Sequence, residues 1–193
     1  MMATLVCGVG INDRSCPAKV NGKITKEYTM WKSMLERCYS EKVHEKYPTY
    51  IGCSVSDNFN YYHLFHAWCQ TQVGFGKEGY QLDKDLLIKG NKVYSEHTCV
   101  FIPKSLNLLL TKRTLDRGLL PIGVTKQGSK FKAQCSLVGK RIYLGLFDTP
   151  ELAFEVYKTF KEAHIKEQTE VYKDSIDPRA YLVLLNYEVS IDD

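Results

Sequence analysis

Gln81 to Asn107 reads QLDKDLLIKGNKVYSEHTCVFIPKSLN, and the fold turns on how this stretch is read. Leu82 to Ile88 is a short apolar run of strand character, Gly90 and Asn91 punctuate a polar loop, Cys99 to Ile102 makes a second strand, and Pro103 stands where a helix opens. The expected unit is strand, strand, helix. Asp83, Lys84 and Asp85 set three ionisable groups at the lip of the first run, and Asn107 lies one turn into the helix. In a compact hairpin backed by a helix, Asp83 and Asn107 can meet. Two oxygen ligands with room for water and phosphate suit a hard divalent cation, Mg2+ or Mn2+. The same residues also read as solvated strand-end acids and an ordinary polar helix residue, and spacing alone leaves both open.

Upstream, Tyr28 to Tyr39 places Met30, Trp31, Met34, Leu35 and Cys38 at helical spacing, so an amphipathic helix is expected from about Thr29. Tyr47 to Val55 reads as a loop feeding a short strand. Asp57 is placed to cap a second helix, Phe59 to Gln70, whose Phe59, Tyr62, Phe65 and Trp68 read as core rather than as a base-stacking platform. Residues 7–18 ahead of these helices are rich in turn formers and read as an extended leader with Asp13 and Arg14 exposed.

The order Trp31, Met34, Arg37, Cys38, Tyr39, then Pro48 to Tyr50, Gly52, Cys53 and Phe65, then LDKD, GNK, YS and Thr98-Cys99, resembles a phage group of HNH homing endonucleases. The resemblance implies a ββα-metal site. Asp83 matches the metal-binding Asp and Asn107 the late metal ligand, whereas Lys84 falls where the general-base His usually sits and Thr98 where the middle Asn sits. An imidazole accepts a proton near pH 7, but an ordinary lysine of pKa about 10.4 stays charged, so Lys84 reads as a phosphate contact. The base would then come from Asp85, His97 or a metal-bound hydroxide, or from a Lys84 of much-lowered pKa.

Composition bounds the rest. The chain has 193 residues, 44% hydrophobic and 25% charged, with a formal net charge of +4, as expected of a folded protein able to bind nucleic acid. No apolar run approaches the roughly 18 residues that span a bilayer, and the N-terminus lacks signal-peptide character, so a cytoplasmic location is expected, the host cytoplasm for a bacteriophage product. The seven cysteines include no CxxC pair and read as reduced, mostly buried thiols. A zinc cluster drawn from them with His44, His63 or His66 is the alternative, without the usual ligand spacing.

Downstream, Leu108 to Leu110 continue the helix into Thr111, Lys112 and Arg113, and Asp116-Arg117-Gly118 breaks it. Lys112 and Arg113 either complement the helix dipole or reach phosphate. GVTKQ, KFKAQCSLV and RIYLGLF then read as three antiparallel strands, and Thr149-Pro150-Glu151 opens a long helix with Leu152, Val156, Phe160 and Ala163 as its apolar stripe. Between residues 121 and 147 stand Lys126, Lys130, Lys132, Lys140 and Arg141 and no Asp or Glu. A sheet covered on one face only, with the bare face basic, suits a duplex groove; the alternative is an ordinary solvated surface.

GVTKQ, KFKAQ, GKR, YLGLF and DTPELAFEVY resemble the plant ethylene-response-factor (APETALA-type) DNA-binding domain, whose strands enter the major groove. The resemblance implies double-stranded DNA as partner and Lys126, Lys130, Lys132, Arg141 and Tyr143 as contacts. Arg141, the sheet's one guanidinium, is the candidate for guanine. In the tail, Asp177-Pro178 caps a helix, Arg179 to Val189, with Leu182, Leu185 and Val189 as its stripe, which needs a partner, either the protein itself or a second copy.

The expected architecture is α+β: an HNH-like nuclease domain over 1–115, an ethylene-response-factor-like domain over 121–172, and a helical tail over 173–193. The expected function is a metal-dependent DNA endonuclease or nickase of homing type, with DNA anchored by the sheet. Its rival is an inactive HNH scaffold that binds DNA as a regulator, host-takeover or anti-defence factor.

Overall fold

Thr25 takes extended backbone and its hydroxyl accepts the N–H of Tyr28, which starts α1, Lys26–Tyr39, a turn earlier than Thr29. The computed structural model describes residues 5–111, 120–137 and 139–191, and the fold is α+β. Two compact units make it up: Met1–Ile102 with Ser175–Ala180, and Pro103–Asp174 with Tyr181–Asp193. Among the described residues no helix is long and apolar enough to cross a membrane.

In the first unit, α1 buries Trp31, Met34, Leu35 and Cys38. A hairpin of β1, Lys19–Val20, and β2, Lys23–Ile24, precedes it, and α2, Glu41–Lys46, follows. The aromatic segment expected as one helix is two, α3 at Asp57–Asn60 and α4 at Tyr62–Thr71. They break at Tyr61 because the leader supplies the bonds there: Ile11 N–H donates to Asn60 O (2.8 Å) and Tyr62 N–H to Ile11 O (2.9 Å). The cap is Ser56 rather than Asp57, its hydroxyl accepting the N–H of Phe59. Phe59, Tyr62 and Phe65 are fully buried with Trp31, whose indole N–H donates to Phe59 O at 2.8 Å, so the aromatic stripe is core.

The small strands of this unit pair at a distance. β3, Ser54–Val55, runs parallel to β5, Val93–Tyr94, and β4, Tyr80–Asp83, pairs with β6, Val100–Pro103. The first strand therefore does not run on to Ile88. Asp83 Oδ1 accepts the N–H of Asp85 (2.9 Å) and of Leu86 (2.7 Å), and this local turn takes the backbone out of the ladder. β5 lies inside what reads as polar loop. Pro103 both closes β6 and stands as the N-cap of α5, so the helix opens where expected, and α5 spans Lys104–Leu109, short of Thr111.

In the second unit, β7, Val124–Gln127, β8, Lys130–Leu137, and β9, Lys140–Phe147, form an antiparallel sheet in that order. The pairing slips once, with Ala133 opposite Gly145 and Gln134 opposite Tyr143, so Leu144 is the extra residue of a β-bulge. Thr149 caps α6, Pro150–Val171, as its sequence implies. The buried side of α6 differs from the expected stripe: it is Ala153, Phe154, Tyr157, Lys161, Ile165 and Thr169, while Leu152 is 54% exposed and Ala163 lies outside. The rings of Phe154 and Tyr157 choose the side. Gly123 makes room for Tyr157, since a Cβ there would stand 2.1 Å from the ring.

Asp177 Oδ1 accepts the N–H of Arg179 and starts α7, Pro178–Leu185, shorter than the Arg179 to Val189 helix expected. Asn186 ends it by donating both its N–H and its amide to Leu182 O. The buried positions are Ala180, Leu184 and Val189, with Leu182 58% exposed, so the expected stripe of Leu182 and Leu185 does not form.

Candidate functional site

Residues opposite each other in an antiparallel ladder point to the same side, so the register sorts the sheet into faces. Val124 with Ala133, Phe131 with Phe147 and Cys135 with Ile142 face α6. The other face carries Lys130 with Gln127, Lys132 with Thr125 and Leu146, Gln134 with Tyr143, and Ser136 with Arg141. Lys126 opposes Phe131 and Lys140 opposes Leu137, so both belong to the helix-side phase and emerge exposed at strand ends. The outer face thus gathers Lys130, Lys132, Arg141 and Tyr143 from the six sheet residues singled out in sequence. Lys112 and Arg113 lie outside the described residues.

Tyr143 is 61% and Leu146 40% exposed on this face. Lys130 Nζ lies 3.1 Å from Asp148 Oδ1, a pair in solvent that contributes no more than about 1 kcal/mol and exchanges readily for a phosphate. A planar guanidinium beside a phenol ring and an amide can read base edges, Arg141 toward guanine and Gln134 toward adenine, while lysines neutralise phosphate. Gln134 and Ser136 were not legible as site residues. The strand alternation carries the signal, but only the pairing fixes which phase faces outward.

The second candidate is the turn at the end of β4. Asp83 is 9% and Lys84 8% exposed, and Lys84 Nζ stands 3.2 Å from Asp85 Oδ2 and over the Tyr94 ring, 5.7 Å from its centroid. Burial pushes the Asp83 carboxyl above the usual carboxylate range and the neighbouring Asp85 adds to this, against the two backbone N–H groups and Lys84. Asp85 is half exposed. Asn91 locks the loop beyond, its amide donating to Lys84 O and to Val93 O, each at 2.7 Å. Lys84 is therefore packed inward, away from solvent.

The remaining residues are brought to other tasks. Thr98 donates to Val93 O (2.9 Å) and shares a 2.8 Å bond with Ser95 Oγ, which closes the 95–98 turn. The His97 imidazole is 87% exposed, 3.9 Å from Glu96, and its carbonyl accepts from Arg179. Glu96, which carries no signal in the sequence, accepts from Ser56 Oγ and Asn58 Nδ2 and so ties this loop to the start of α3. Asn107 lies in the second unit and Asp83 in the first, so neither unit by itself contains the pair.

Among the described residues no group of three or more His, Cys, Asp or Glu is placed to hold a metal ion. Asp83 is the expected ligand on the first unit, and its Oδ1 is already engaged by the turn. The cysteines are all free thiols, five of them buried, and burial pushes Cys38 and Cys99 up to about 12, far from thiolate chemistry. Compared with protein-family models, curated proteins and solved structures, the chain matches none.

Proposed function

We propose that this protein acts on double-stranded DNA, which it grips through the outer face of the β7 to β9 sheet. One observation carries the reading. Lys132, Arg141, Gln134 and Tyr143 share a face turned away from α6, in a segment with no Asp or Glu. Such a surface neutralises phosphate and offers a bidentate donor to a base edge. Arg141→Ala with Lys132→Ala should weaken duplex binding by about ten- to a hundredfold at low salt and flatten its salt dependence by about two phosphate contacts. Gel shift and anisotropy measure both; unchanged affinity removes the sheet from the function.

On this grip the first unit acts as an HNH-type endonuclease or nickase. Support comes from Asp83, a buried carboxyl raised above its ordinary range beside the half-exposed Asp85 side chain, and perturbed acids of this kind collect at reactive sites. A Mg2+ or Mn2+ requirement is part of this reading, with Asp83 as the first-unit residue that would hold the ion against the DNA phosphate. The rival, a binder that has lost cleavage, is favoured by Lys84, which is buried where the family's base stands. Supercoiled plasmid in Mg2+ or Mn2+, run beside Asp83→Ala, separates the two. Nicking abolished by the substitution supports the nuclease; retained gel shift without nicking leaves the binder.

A further inference from the structure

The first unit carries a basic element that neither the sheet grip nor the Asp83 turn uses. Residues 14–26, RSCPAKVNGKITK, hold Arg14, Lys19, Lys23 and Lys26 and no acid. β1 and β2 pair with Lys19 opposite Ile24 and Val20 opposite Lys23. The turn between them is Asn21-Gly22, with φ +50° and +76°, the two-residue form whose twist matches a hairpin. At the base Thr25 N–H donates to Ala18 O at 3.1 Å.

Every residue from Lys19 to Ile24 is exposed, Val20 at 52% and Ile24 at 56%. The ribbon therefore packs neither face, although a lone two-stranded hairpin is marginal in water. Each strand and each face carries one lysine. Beside it Arg14, in the left-handed region at φ +67° with its N–H held by Asn12 Oδ1, lines a shallow cleft of about 360 Å³ with Lys19, Cys16 and Tyr28. Lys26 donates to Gly76 O at 3.2 Å, which ties its ammonium to the body of the unit rather than to the ribbon.

We infer that this ribbon is a second duplex-DNA contact, resting on the DNA-binding function proposed for the sheet. A two-stranded β-ribbon fits a major groove about 12 Å wide. Lysines on both strands then reach phosphates on both walls, and Arg14 with Lys19 takes a phosphate at the cleft. An apolar protein partner would ask for one face free of charge, which neither face provides.

The test uses the full chain and a labelled duplex of about 25 bp, with anisotropy read from about 50 to 200 mM salt. Lys19→Gln with Lys23→Gln should flatten the log-log salt slope by about 2 and adding Arg14→Gln by about 3, with affinity down about tenfold or more at low salt. Lys19→Arg with Lys23→Arg should restore the slope, which also controls for damage to folding. A wild-type slope in the glutamine variants overturns the inference and points to an acidic protein surface instead. If the sheet variant keeps affinity while the ribbon variant loses it, the sheet falls and the ribbon stands; if the wild-type chain fails to bind duplex, both fall.

Discussion

Lys84 and Lys161 are two lysines, one in each unit, and each is 8% exposed. Lys84 lies between acids, with Asp85 at 3.2 Å and the Tyr94 ring beneath it. Lys161 sits on the buried side of α6 with Cys135 as its electrostatic neighbour, and among the described residues no ion pair forms with it. Burial alone accordingly pulls the Lys161 ammonium below the ordinary lysine range, with Cys135 opposing. The contrast separates two ways of handling buried charge. At the Asp83 turn, cation and acids are kept together. On α6 the charge is a cost of the stripe that the aromatic rings selected.

The comparison can be broken most severely from the side of the sheet. Gly123→Ala puts a methyl 2.1 Å from the Tyr157 ring at φ +77°, where a side chain is strained in any case. A loss of about 3 kcal/mol or more is expected, because overpacking and backbone strain add. Hydrogen exchange should then report lost protection in β7 to β9 and α6 while α1 and α4 keep theirs. A second, milder change sharpens the contrast. Lys161→Met removes the unpaired charge at similar volume and should stabilise by about 1 kcal/mol, raising Tm by about 4 °C. Lys84→Met should do the reverse, because it leaves buried Asp83 without its cation.

The smallest effect is read from pH. The Asp83 carboxyl is raised in the folded chain, so between its unfolded value and the raised one the native state holds the extra proton. Its contribution to stability therefore falls as pH rises between those two values. Asp83→Asn keeps the oxygen that accepts the Asp85 and Leu86 N–H groups and should flatten this dependence in a pH series of melts, while abolishing any nicking. For Lys161 the sign is opposite. Its lowered folded value means the unfolded state binds more protons on the alkaline side, and stability there should rise with pH toward the ordinary lysine value.

Local chemistry made much of this fold legible. Thr149-Pro150, the three sheet strands and the Asp177-Pro178 start are written in caps, turn residues and alternation, and all appear where the residues place them. What failed depends on distant partners. Nothing near Tyr61 announces that Ile11 will break the helix there. Leu86 and Leu87 extend the apolar run past Asp83, yet an aspartate side chain bonding forward outcompetes the ladder. The side of α6 that turns inward follows from ring volume meeting Gly123, a fact of the sheet rather than of the helix. At the candidate site, the sequence named the charged residues but not their burial, so Lys84 read as a phosphate contact although it points into the fold.

The slip at Leu144 has a further consequence. Before it, odd-numbered residues of β9, Arg141 and Tyr143, look outward; after it, Phe147, also odd, looks inward toward α6. One inserted residue lets a single strand serve two masters with independent phases. Residues at the Arg141 end can change the outer face without disturbing the aromatic that seals the other end, whereas deleting Leu144 would throw either the outward residues or the seal to the wrong side.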